Sequence, residues 1–68
     1  MVTSNATFFK NCIEQTEGRK VRHINFDRYT EDGKNLFYVL FADGEEAEYD
    51  CFRAGTKEAF SVNIRRIR

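Results

Sequence analysis

The chain has 68 residues, with 11 basic and 11 acidic side chains, one His, two Cys, no Pro and no Trp, and its formal net charge is zero. A chain this short hides only about 60% of the surface its unfolded form exposes, so it forms a single domain that needs its large apolar residues for one core and has little left to line a deep catalytic pocket. Hydrophobic content of 41% beside 32% charged residues excludes general disorder, and the uncharged run from Asn35 up to Asp43 is far too short to span a bilayer.

The first segment, Ser4 to Glu17, reads as a helix because Phe8, Phe9, Cys12 and Ile13 recur at helical spacing and would fall on both faces of a strand. Thr3, Ser4, Asn5 or Thr7 offers a capping oxygen at its start, and Gly18 suits its end. From Arg19 onward β-branched and aromatic residues dominate, and Asp32-Gly33 and Asp43-Gly44 mark two hairpin turns. Strands are expected over Val21 to Tyr29, Leu36 to Phe41 and Glu46 to Phe52, with a last one from Phe60 to Ile67 after the loop through Ala54-Gly55-Thr56-Lys57.

These strands differ in pattern. In the third, Ala47, Tyr49 and Cys51 alternate with Glu46, Glu48 and Asp50; in the fourth, Phe60, Val62 and Ile64 alternate with Ser61, Asn63 and Arg65. Both are the pattern of half-buried strands. The second is apolar at every position from Leu36 to Phe41, which makes it a central strand needing cover on both faces. One short helix covers one face, so the other is expected to be closed by curling into a barrel or by a second copy of the chain. The first strand is irregular: Ile24 and Phe26 share a face and Val21 and Tyr29 fall on the opposite one, which calls for a bulge or a two-sided environment.

Chemistry finds little support. Cys12 and Cys51 are too far apart in the chain for a zinc-ligand pair and read as buried reduced thiols, with a disulfide between them as the alternative. His23 lies between Arg22 and Ile24 with no orienting acid or nucleophile in evident reach. Gly55-Thr56-Lys57 lacks the leading glycine and the spacing of a phosphate loop, and Asn5-Ala6-Thr7 matches a glycosylation sequon by chance. The acidic set Asp43, Glu45, Glu46, Glu48 and Asp50 is spread along one strand, where alternate residues lie about 7 Å apart and do not converge on a cation. The expectation is therefore no enzyme, no metal, no cofactor, no small-molecule substrate and no membrane partner. Without a signal-peptide pattern, the expected location is the cytoplasm.

Zero net charge conceals an uneven distribution. Residues 1 to 30 sum to +2, residues 31 to 52 to −6 and residues 53 to 68 to +4. Arg19, Lys20 and Arg22 open the first strand, Arg65, Arg66 and Arg68 close the chain, and Arg53 and Lys57 precede the last strand. Gathered beside an aromatic such as Tyr29 or Phe52, they would make a patch for phosphates and stacked bases. Should the third and last strands pair, the acidic and basic blocks neutralise one another instead.

The hairpin from Phe37 to Tyr49, an aromatic strand running into Ala42-Asp43-Gly44 and then a polar strand, resembles SH3-like and Tudor-like barrels; the resemblance implies a small barrel and carries no site residue. The sequence thus points to an α+β fold, an N-terminal helix packed through Phe8, Phe9, Cys12 and Ile13 on a four-stranded antiparallel meander, with an SH3-like small β-barrel as the alternative. The function expected is that of a binding or adaptor module engaging protein, a second copy included, with Phe37, Tyr38 and Phe41 as interface area. The alternative is a nucleic-acid-binding module using Arg19, Lys20, Arg22, Arg65, Arg66 and Arg68.

Overall fold

The computed structural model describes residues 5–56 and 58–68. Helix α1 (Asn5–Glu17) is followed by strands β1 (Val21–Tyr29), β2 (Asn35–Phe41), β3 (Glu46–Gly55) and β4 (Phe60–Arg66). The strands form one antiparallel sheet in the order β1-β2-β3-β4, an open meander rather than a barrel. The expected α+β architecture is therefore present, and the barrel implied by the hairpin resemblance is not. The capping candidates Thr3 and Ser4, and Lys57 of the loop, lie outside the described residues.

The helix forms where its apolar residues repeat. Phe9 and Ile13, one turn apart, are buried, and Ala6 and Phe8 pack beside them. The helix stops at Gly18, whose N–H donates to the Glu14 carbonyl at 2.8 Å. The Glu14 carboxylate then accepts from the Val21 N–H at 2.8 Å, tying the helix to the first residue of β1.

Both hairpins close with three-residue loops. At the first, the Thr30 N–H donates to the Lys34 carbonyl at 2.9 Å and the Gly33 N–H to the Thr30 carbonyl at 3.0 Å; at the second, Phe41 and Gly44 bond to Glu45 and Phe41 in the same way, each at 2.9 Å. Gly33 and Gly44 have φ of 82° and 92°, the left-handed conformation such a loop requires at its last residue and one that side chains with a Cβ resist.

Two register shifts resolve the irregular first strand. Val21 pairs with Phe41 and His23 with Leu40, then Phe26 with Phe37 and Arg28 with Leu36, so Arg22 and Asp27 are extra residues in the β1 ladder. Each shift reverses the face taken by the residues after it. Val21 is buried in the core, Phe26 packs on Phe37 with ring centroids 5.7 Å apart, and Tyr29 packs on Phe26 at 5.0 Å, so all three lie on the helix side.

The core lies between α1 and the sheet. Phe37, Val39 and Phe41 of β2 join Ala47, Tyr49 and Cys51 of β3 there, with Val62 and Ile64 of β4 packed against them. Strand β3 runs past Phe52 to Gly55 because Arg53, Ala54 and Gly55 pair with Val62, Ser61 and Phe60. Strand β4 ends at Arg66, one residue early, since Ile67 and Arg68 both donate to the Glu48 carbonyl and so form a third bulge. Both cysteines are free thiols, and burial pushes the Cys51 thiol up to about 12.

The opposite face of β2 departs from expectation. Leu36 is only 3% exposed within a single chain, covered without a barrel or a second copy, while Tyr38 and Leu40 are half-buried. Register explains the shielding of Leu36: it sits in a cross-strand row with Arg28 on one side and Asp50, then Arg65, on the other.

Candidate functional site

Of the three residues expected to supply interface area, two are consumed by the core. Phe37 is 1% exposed and Phe41 is 0% exposed, on the helix side of β2. Sequence alternation separates Tyr38 from both, but only the position of the helix decides which face becomes interior. Tyr38 lies on the open face, where its hydroxyl donates to Glu46 Oε1 at 2.6 Å, and that carboxylate raises the phenol pKa. A hollow of about 240 Å³ beside it, lined by Glu46, Ala47, Glu48 and Arg68, falls short of the roughly 300 Å³ at which small-molecule pockets begin.

The expected basic patch is largely taken up by carboxylates of the same chain. Arg19 reaches Glu45 at 2.6 Å and Asp43 at 2.7 Å while its guanidinium lies 3.8 Å from the centre of the Phe41 ring. Glu45 also receives Arg66 at 3.2 Å, Asp50 receives Arg65 at 2.6 Å, and Glu48 receives Arg68 at 3.0 Å. The pairing of β3 with β4 thus brings the −6 block beside the +4 block, where Asp50 meets Arg65 across the ladder and Glu48 meets Arg68 just beyond it, so the two blocks offset one another in part. Lys20 and Arg22 are exposed and make no ion pair among the described residues. The Glu45 N–H and then Arg19 hold Asp43 below the ordinary carboxylate range, and Arg19 does the same for Glu45.

The acidic set does not converge. Asp43 and Glu45 face Arg19, Glu46 faces Tyr38, Glu48 faces Arg68 and Asp50 faces Arg65, and no cluster of three or more ligand residues suited to a metal occurs among the described residues. His23 is exposed on β1, opposite Leu40. No helix among the described residues is long and apolar enough to cross a membrane.

A row of aromatic rings escaped sequence reasoning. Starting at one edge strand, Tyr29 touches Phe26 at 5.0 Å, Phe26 touches Phe37 at 5.7 Å, Phe37 touches Phe9 at 5.4 Å, Phe9 touches Phe8 at 5.3 Å, and Phe8 touches Phe60 of the other edge strand at 5.9 Å. Edge-on and tilted contacts of this kind add to what area burial alone contributes. The Arg53 guanidinium lies over Phe8 at 4.8 Å and over Phe60 at 4.3 Å, a cation on the far end of the row. The middle of the row is core, while its ends are surface: Tyr29 is 66% exposed, Phe26 41% and Phe60 45%. The available signal was the count of seven Phe, more than one apolar stripe of a short helix and two alternating strands absorb. Comparison with family models, with curated proteins and with solved structures finds no match to the chain.

Proposed function

We propose that the chain is a small non-enzymatic binding module of the cytoplasm that works through protein–protein contacts, among them contacts with a second copy of itself. The observation that carries this reading is the set of large apolar side chains left at the surface, Phe26, Tyr29, Phe52, Phe60 and Ile67. In so small a chain each is a substantial share of the apolar surface available for burial, and aromatics of this kind commonly anchor protein contacts. The test is sedimentation from micromolar to near-millimolar concentration. Association that grows with concentration, and that weakens when Phe60 is replaced by Ser, supports the reading; a strict monomer throughout removes its self-association part.

The alternative, a nucleic-acid-binding module, draws support from Lys20 and Arg22, whose charges no carboxylate of the described residues engages. It is weakened by the internal pairing of Arg19, Arg65, Arg66 and Arg68. Binding of a single-stranded oligonucleotide with an affinity that falls steeply as salt rises, and a salt slope flattened by roughly one per residue in Lys20→Ala and Arg22→Ala, is the result this alternative requires. No binding at low salt would eliminate it.

A further inference from the structure

An open sheet presents two rows of unpaired backbone groups, and the two edges of this one differ. The β1 edge is interrupted by the extra residues Arg22 and Asp27, and bulges of this kind protect an edge from pairing. The β4 edge has no such interruption: Phe60 to Arg66 pair one to one with Gly55 to Tyr49, and among the described residues their backbone bonds go to β3 alone. The direction of its free groups is fixed by the two ends of the ladder. Thr56 N–H donates to the Ala59 carbonyl at 2.8 Å and Ile67 N–H to the Glu48 carbonyl at 2.9 Å. Alternation between these points turns the backbone groups of Ser61, Asn63 and Arg65 toward β3 and leaves those of Phe60, Val62, Ile64 and Arg66 pointing away from the sheet.

The side chains of β4 select what fits there. The strand carries Arg65 and Arg66 and no acid, so a parallel copy would set each arginine beside its own counterpart. The bulged β1 of another copy offers no matching ladder. An antiparallel copy centred on Asn63 meets neither obstacle. It sets Arg65 opposite Ser61 and Arg66 opposite Phe60, and brings the half-buried Val62 against the half-buried Ile64 on the helix side. In the same register the outward N–H and C=O groups of Val62 meet those of Ile64, and those of Phe60 meet those of Arg66.

We propose that two copies of this chain join antiparallel along β4, in register about Asn63, to form one continuous sheet. The proposal rests on the reading of the chain as a self-associating module and names the surface that does it. Asn63 then lies on the two-fold axis as a non-hydrogen-bonded pair, with Cα atoms about 4.5 Å apart, within the span a disulfide bridges.

The experiment introduces cysteine at that point in the full chain. Asn63→Cys, oxidised under mild conditions, should cross-link to a covalent dimer, while Ser61→Cys, whose counterpart is displaced several residues along the partner strand, should not. The native thiols give little background, since burial raises both above the ordinary thiol range. A second variant, Val62→Pro, removes an N–H that points away from the sheet and so spares the β3–β4 ladder. With its circular dichroism unchanged it should weaken dimerisation roughly tenfold or more. Self-association that persists without cross-linking at position 63, or that Val62→Pro leaves intact, overturns the β4 surface while self-association stands. A wild-type chain that sediments only as monomer overturns both.

Discussion

Leu36 and Val39 lie on the same strand and are buried to almost the same degree, 3% and 0% exposed, but by different means. Val39 faces α1 and belongs to a core of aromatic and aliphatic side chains. Leu36 faces away from the helix, in a row that runs Arg28, Leu36, Asp50, Arg65 across all four strands. Its cross-strand neighbours are Arg28 and Asp50, and Asp50 is in turn held by Arg65 at 2.6 Å. A large apolar side chain on the open face of a sheet can therefore be buried without a barrel or a second layer where charged neighbours of opposite sign lie in register beside it, as at Leu36, while Tyr38 and Leu40 on the same face stay half-buried.

The largest effect should come from the helix side. Phe37 touches both Phe9 and Phe26, and replacing it with Ala breaks the aromatic row in two. Such truncations cost about 3–5 kcal/mol. That is much of the total for a chain this size at roughly 0.05–0.15 kcal/mol per residue, so Phe37→Ala should be largely unfolded in water by near-ultraviolet circular dichroism. A cooperative transition close to that of the wild type would show that the row is not a structural spine.

Leu36→Ala is the sharper measurement, because it asks whether the open face shields as the covered face does. A dry, well-packed leucine costs about 2 kcal/mol or more on truncation, measured by urea denaturation. A cost below about 1 kcal/mol would mean that water reaches Leu36 through the polar row and that the two faces are unlike in energy as well as in composition.

These two side chains also mark what could be seen in advance. The helix was legible from Phe8, Phe9, Cys12 and Ile13, and β3 from the strict alternation of Ala47, Tyr49 and Cys51 with carboxylates, because both patterns are local. The hairpins were legible from Asp-Gly pairs. The bulges at Arg22 and Asp27 had no signature of their own and surfaced only as an inconsistency among Val21, Ile24, Phe26 and Tyr29. Whether Phe37 or Tyr38 would face outward depended on where the helix settles, a long-range outcome that alternation along β2 leaves symmetrical. The cover over Leu36 depended on the register of three ladders at once. Pairing of the acidic and basic blocks was readable as a condition on strand order, and the adjacency of β3 and β4 met it.

The smallest effect, and the one that isolates electrostatics from packing, concerns Arg19. It fastens the start of β1 to Asp43 and Glu45 beside the second hairpin; it is the main cause that holds Glu45 below the ordinary range and, after the Glu45 N–H, the second that holds Asp43 there. A carboxylate whose pKa is lower folded than unfolded contributes its stability in full above the unfolded value, near 4, and loses it as the pH falls through the folded value. The melting temperature of the wild type should therefore drop on acidification from about pH 5 downward, and added salt should flatten the drop. In Arg19→Met, which keeps an apolar stem over Phe41, the melting temperature at neutral pH should change little, because exposed ion pairs contribute weakly, and the acid slope should become shallower. Part of the slope must persist, since Asp32 is held low independently, first by the Thr30 hydroxyl and then by Lys34. A slope unchanged from the wild type would mean that Asp43 and Glu45 gain nothing from Arg19 in solution; Leu36→Ala, which touches neither, should keep the wild-type slope while losing more stability at every pH.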